Sequence, residues 1–390
     1  MRNGLSLAIS QPRGIAGGAP LPWLLVATRC RLGSTFASAN KQGMSRSTHV
    51  AKDNITALKI VVPNFKSGAY LASPSGDVTI GSASATVTAS VEYPAGTFTQ
   101  ILFSGSATGT IADLAILASD AATVSIPTGS TFWIRIYWQS TAGIFYAPFR
   151  DTAGGDLYRV GASGITDQTM SGTITHNAGT ACYFPAAILA QTSIDSYVIC
   201  GDSIAAGYTD TEGATGDNLR GVIARSIPSS APFINIAQSG EKASNFLTNG
   251  FLRKLMVPYG KHLITEYGRN DLNASDADAT IRSNILAIWA LGNPGGKRYQ
   301  ATITPQATST DSFATTANQT PVNNEPTFNA LVRAGTGFTG ITGYIEIADI
   351  LNPNRDGKWV VTPTPPYTAD GLHPNPAGYG LTSSAVWTTF

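Results

Sequence analysis

The sequence predicts two halves: an α/β domain with a parallel sheet and helices on both faces, preceded by an all-β sandwich or jelly-roll domain. Three observations carry this. From about residue 54 to 189, apolar and polar residues alternate between turns rich in Gly, Pro, Ser and Thr, with no helical period. After about residue 193, short apolar runs alternate with helical stretches, the pattern of a parallel sheet. The chain also has 390 residues, room for two domains of roughly 150 residues or more.

Residues 1–50 stand apart. They contain Arg2, Arg13, Arg29, Arg31, Lys41 and Arg46 and no acid, so this stretch carries +6 and the remainder −5. An apolar run at 21–27 and the small residues Ala37-Ser38-Ala39 fit a targeting leader, although Arg29 and Arg31 fall where such a leader is uncharged. Two readings stand: an exported protein, secreted or periplasmic, or an upstream extension with Met44 as the start and a cytoplasmic product. The expected division is therefore a basic leader over 1–50, an all-β accessory domain over 51–190 and an α/β domain over 191–390.

In the all-β part, Thr86-Val87-Thr88-Ala89-Ser90-Val91 alternates strictly. So do residues 132–138, placing Phe132, Ile134, Ile136 and Trp138 on one face and Trp133, Arg135 and Tyr137 on the other. Tyr93-Pro94-Ala95-Gly96 and Pro127-Thr128-Gly129 provide turn chemistry between such runs.

In the α/β part the expected buried strands are 196–200, 233–237, 262–267, 299–304 and 344–349. The clearest helix is 276–291, with a capping-box pattern at Ser275 and Asp278 and a stripe of Ile281, Ile285, Ile288 and Trp289. Gly292 and Pro294 end it.

Composition excludes several function classes. A net charge of +1 argues against a nucleic-acid binder, which needs a basic excess. No run of eighteen apolar residues offers a membrane span. Cys30, Cys182 and Cys200 cannot complete a disulfide framework, and His49, His176, His262 and His373 are too scattered for a local metal motif.

Open parallel sheets present chemistry in the loops beyond the carboxyl ends of their strands. The loops after the first three predicted strands read Gly201-Asp202-Ser203, Gln238-Ser239-Gly240 and Gly268-Arg269-Asn270-Asp271. Near the C-terminus comes Asp370-Gly371-Leu372-His373-Pro374. A serine hydroxyl needs an adjacent base, which histidine supplies, and a carboxylate fixes the imidazole tautomer. Asp370 and His373, three apart on a turn, suit that contact. An oxyanion then needs preorganised donors, for which the Ser203 and Gly240 N–H groups and the Asn270 carboxamide are candidates.

In order and placement, Gly201-Asp202-Ser203-Ile204, Gly240, Gly268-Arg269-Asn270-Asp271 and Asp370-Gly371-Leu372-His373 resemble the four blocks of the SGNH (GDSL-type) hydrolase family. The resemblance covers about residues 195–390. It implies a three-layer, flavodoxin-like α/β/α fold and serine ester hydrolysis without a metal or other cofactor. By it, Ser203 is nucleophile and first oxyanion donor, Gly240 and Asn270 are the other donors, His373 is the base and Asp370 its partner. Ile204 stands where leucine is commonest and touches no catalytic atom.

Other features have plainer readings. Gly335-Thr336-Gly337-Phe338-Thr339-Gly340 fits a dinucleotide fingerprint but follows a helix and precedes a strand, the wrong order. Asp202 and Asp271 are expected to fix loops. Three residues are candidate substrate contacts. Trp359 and Tyr367 form an aromatic, proline-stiffened wall within 352–369, while Arg269 faces either a polar substrate or a structural carboxylate. The Thr-, Asn- and Ser-rich stretch 306–325 is a second candidate wall. Exposed Trp133 and Tyr137 would suit a sugar ring.

The expected partner is an ester, an acylated glycan or polymer among the candidates, with no nucleic acid and no membrane span. A carbohydrate O-acetyl or short-chain esterase leads. The alternatives are a lipolytic or polyester-active esterase, or a surface protein with a decayed hydrolase domain. Oligomeric state is not encoded in any feature read here.

Overall fold

The computed structural model describes residues 21–30, 32–33, 35–67, 76–78, 83–147, 154–177, 182–211, 220–361 and 366–390. Two textures of secondary structure follow each other along the chain, as the patterning requires.

The first is antiparallel. One sheet holds the strands Trp23–Leu25, Ala187–Gln191, Ile55–Asn64 and Ala115–Ala118 in that order, with Ala122–Ile126 also paired to Ile55–Asn64. A second runs Leu157–Gly161, Gln42–Val50, Thr131–Ser140, Ala85–Glu92 and Phe98–Ile101, with Thr108–Ile111 also on Ala85–Glu92. Alternation decides which side chains go inward. Ile60 and Val62 from the first sheet meet Val87, Ile134, Ile136 and Trp138 from the second in one buried cluster. The opposite face of the second sheet carries Arg46 and Arg135, both bonded to Glu92 at 2.7 and 2.8 Å.

The leader expectation is corrected where it can be seen. The apolar run at 21–27 supplies the strand Trp23–Leu25, whose Leu24 and Leu25 are buried. Residues Gln42–Val50 form a strand flanked on both sides, by Thr131–Ser140 and Leu157–Gly161. Such burial makes this stretch part of the all-β half, because its removal would unpair the second sheet's centre. Residues 1–20, Arg31 and Ser34 of that stretch lie outside the described residues.

The second texture is one six-stranded sheet. Its order is Phe233–Asn235, Tyr197–Gly201, His262–Glu266, Arg298–Ala301 and Gly343–Glu346, all parallel, then antiparallel Val386–Thr389. Tyr197–Gly201 is buried on both faces, as parallel strands are: Val198 and Cys200 join one cluster, Tyr197 and Ile199 the other. Helices Ala243–Asn249, Asp278–Trp289 and Glu325–Arg333 cover the first face through Phe246, Ile281 and Phe328. Ser203–Ala206, Gly221–Ala224 and Pro376–Leu381 cover the other. The helix Asp278–Trp289 buries the expected stripe, but Ala277 caps it with no side-chain bond, and Ser275 instead adopts φ 61° in the preceding turn.

The strand order places the first and second parallel strands in reversed sequence before the third, so the topology switches between Tyr197–Gly201 and its neighbours. Crevices form at such points, beyond the carboxyl ends. The two halves are not separated by a solvated linker. Leu25, Val61, Phe65 and Leu189 of the all-β half pack in the same cluster as Val198, Ile234 and Phe246. Among the described residues no helix is long and apolar enough to cross a membrane.

Candidate active site

Ser203 opens the short helix that follows the first parallel strand. Asp202 caps that helix, its carboxylate accepting from the Ile204 N–H at 2.8 Å. Among the described residues no acceptor takes the Ser203 N–H.

The histidine arrives from the C-terminal segment. The loop 368–374 is tied to itself: Thr368 Oγ1 donates to the His373 carbonyl at 2.8 Å and accepts from the Gly371 N–H at 3.0 Å. Asp370 Oδ1 accepts from the backbone N–H groups of Leu372 and His373 at 2.9 and 2.8 Å. Its other oxygen lies 2.7 Å from His373 Nδ1. His373 Nε2 lies 2.9 Å from Ser203 Oγ. A carboxylate only accepts, so Nδ1 carries the proton and Nε2 is left to accept from the serine hydroxyl. Burial works against the Asp370 charge. The bonds from the His373 ring, the His373 N–H and the Leu372 N–H outweigh it and hold the carboxyl below the usual carboxylate range.

Further contacts lock the loops together. Thr209 Oγ1 donates to the Pro374 carbonyl at 2.9 Å, and Tyr379 OH donates to the Tyr208 carbonyl at 2.8 Å. The Tyr208 ring packs on the imidazole, centroids 4.8 Å apart.

The expected oxyanion donors come from the two neighbouring strands. Gly240 adopts φ 79°, a conformation that a side chain disfavours, and a Cβ there would meet nothing within 4 Å. Among the described residues no acceptor takes its N–H. Asn270 begins the segment after the third strand, in the helix Arg269–Asn273. One N–H of its carboxamide donates to the Glu241 carbonyl at 3.1 Å, which orients the other. Asp271 ties this helix to the next layer by accepting from the Ala243 N–H at 3.1 Å.

Beside Ser203 lies a buried acid pair that the sequence reading missed. Glu266 ends the third strand in register with Gly201. It and Asp202 are fully buried, and Asp202 Oδ2 and both Glu266 oxygens make no hydrogen bond among the described residues. Burial and then the Asp202 charge push the Glu266 carboxyl well above its ordinary range. Burial raises Asp202 itself to about 6, against the pull of the Ile204 N–H and the Arg269 charge. An acidic residue ending a fully buried strand was the signal available in the sequence.

Two substrate-contact expectations are corrected. Trp359 is completely buried, with its indole N–H donating to the Gly371 carbonyl at 3.0 Å and its backbone bonded to the Gln319 carboxamide. An indole so enclosed holds the acid–histidine loop and cannot meet substrate. Arg269 is equally buried, donating to Asn323 Oδ1 at 2.9 Å and to Gln306 Oε1 at 3.4 Å, with Glu325 and Asp202 the largest acidic influences on it, so it is held inside the fold rather than presented to substrate. Tyr367 is half-buried against the Trp359 cluster. Residues 362–365 of that wall lie outside the described residues.

In the stretch 306–325, Ala307–Ser309 and Gln319–Pro321 pair as a hairpin, and Ala307 N–H donates to the Gly371 carbonyl at 3.0 Å. Trp133 and Tyr137 are also engaged within their own half. The Arg46 guanidinium sits 3.9 Å over the Trp133 ring, and Tyr137 packs with Met44, Ile165 and Ile174.

No protein-family model matches the chain, and no curated relative matches it. Solved structures do resemble it over half its length. A member of the lipolytic protein G-D-S-L family from Veillonella parvula is 18% identical and aligns over 49% of this chain and 94% of its own, with a TM-score of 0.35. An acetylxylan esterase from Geobacillus stearothermophilus is 15% identical over 48% of this chain and 90% of its own, with a TM-score of 0.33.

Proposed function

We propose that the chain is a serine carboxylic-ester hydrolase of SGNH type, acting through an acyl-enzyme. In this reading residues 191–390 form a three-layer catalytic domain, and the preceding strands a β-sandwich joined to it. One observation carries the reading: the continuous path from Asp370 through His373 to Ser203, at 2.7 and 2.9 Å. An intact path of this kind weighs against a decayed domain.

The chemistry follows from the donors and acceptors. Ser203 Oγ attacks the ester carbonyl while His373 Nε2 takes its proton. Asp370 steadies the imidazolium through Nδ1. The oxyanion accepts from the Ser203 and Gly240 N–H groups and from the free N–H of Asn270. His373 then returns the proton to the departing alcohol oxygen. Water next attacks the acyl-enzyme, His373 takes its proton and Ser203 leaves with the hydroxyl restored.

For substrate we infer a short acyl group, an O-acetylated carbohydrate first, with lipid or polyester as the second reading. The Tyr208 ring beside the imidazole offers an aromatic face at the site. Hydrolysis of p-nitrophenyl acetate by the protein and its Ser203→Ala variant, with EDTA present, tests the reaction. Turnover that survives EDTA and disappears with the hydroxyl supports it. Equal rates in the two proteins refute it.

A further inference from the structure

The oxyanion loop is held from the other half of the chain. Asp77 lies in a two-residue strand paired with Lys66–Ser67, both in the all-β half. Its carboxylate accepts from the backbone N–H groups of Leu252 and Arg253 at 2.6 and 3.1 Å and from Arg253 Nε at 2.6 Å. The same guanidinium turns its two remaining nitrogens onto Glu241, at 2.9 and 2.6 Å. All three side chains are completely excluded from solvent. Glu241 is the residue after Gly240, and its carbonyl is the group that orients Asn270. Ser67, the register partner of Asp77, donates to Gln238 Oε1 in that same loop at 3.2 Å.

We propose that Asp77 is a positioning residue for the oxyanion donors: through Arg253 and Glu241 it fixes the Gly240 amide and the Asn270 carboxamide. The inference rests on the ester-hydrolase reading above and makes the all-β half part of the catalytic frame rather than an appended module. The physical reason is cost. A buried guanidinium that loses one of two carboxylates is left partly uncompensated, and it moves to recover partners. Glu241 is bonded to it twice and moves with it. Displacements on the order of 1 Å at a catalytic donor cost up to about a hundredfold in rate.

The test is a double-mutant cycle on p-nitrophenyl acetate with wild type, Asp77→Asn, Asn270→Ala and the double variant, each with a thermal melt to show that it is folded. Asp77→Asn is expected to lower kcat by roughly tenfold to a hundredfold with KM within about threefold. In the Asn270→Ala background its effect shrinks to less than a third of that, because a donor it positions is already gone. A role in stability alone predicts a lower melting temperature and the same fold-loss in both backgrounds, and equal losses, or none, overturn the inference. Should Asp77→Asn not fold, Ser67→Ala removes only the Gln238 contact; a kcat loss of about two- to fivefold, coupled to Asn270 in the same way, is then expected, and an uncoupled or absent loss overturns the proposal. A wild type with no Ser203-dependent turnover is a different result: it removes the ester-hydrolase reading, and this inference with it.

Discussion

The indole N–H of Trp359 donates to the carbonyl of Gly371, one of the two residues between Asp370 and His373, at 3.0 Å. Gly371 takes φ 73°, and a Cβ there would sit 2.0 Å from the Ala307 carbonyl oxygen. The acid–histidine turn is therefore pressed onto the 307–309 strand and pinned by a buried aromatic. Its geometry is set from below, by packing.

Trp359→Ala follows directly. Removing a fully buried tryptophan costs about 3–5 kcal/mol, and the loop above it loses a donor. The expected result is a lower melting temperature and a kcat reduced by a similar factor on every ester, with the order of substrate preference unchanged. A changed preference would mean that the indole reaches substrate after all.

Glu266 makes a sharper test of the buried acid pair. Glu266→Gln keeps the shape and the uncharged state that burial favours at this position, so kcat should stay within about threefold. Glu266→Ala opens a cavity beside Asp202, the cap of the Ser203 helix, and roughly tenfold slower turnover is expected. Equal kcat values for the Gln and Ala variants would show that Glu266 does not support that cap.

Asp271 predicts a pH dependence of stability. Burial raises its carboxyl from 3.8 to about 7. The unfolded chain ionises near the lower value and the folded chain near the higher, so the folded state holds the extra proton between them. Stability from this group is present below pH 4 and is lost as pH rises through about 7. Melting curves from pH 4 to 8 should therefore be flatter for Asp271→Asn than for wild type, with the variant gaining most at pH 8. Parallel curves would assign the slope to other groups.

Much of this was legible in the sequence, and for stated reasons. Alternation in 132–138 reports one buried face directly, and Phe132, Ile134, Ile136 and Trp138 are all fully buried. The block around Ser203 follows a strand, Tyr197–Gly201, whose apolar run is plain in the sequence. The errors share a cause, which is that burial of a large or charged side chain depends on distant partners. Trp359 reads as a surface aromatic in a Pro-rich loop until Gln319 and Gly371 are placed around it. Strand Gln42–Val50 reads as part of a basic leader because Arg46 finds Glu92 only through the fold, 46 residues on. Asp77 and Arg253, 176 residues apart, carry no local pattern that pairs them.

The central claim is that Ser203 is an activated nucleophile, and covalent labelling reads this without choosing a substrate. The protein is treated with a fluorophosphonate, digested, and the adduct located by mass spectrometry, beside the Ser203→Ala and His373→Ala variants. One adduct is expected, on Ser203, absent from the first variant and formed at least about a hundredfold more slowly in the second. An adduct on another residue, or labelling of Ser203 that is indifferent to His373, would contradict it.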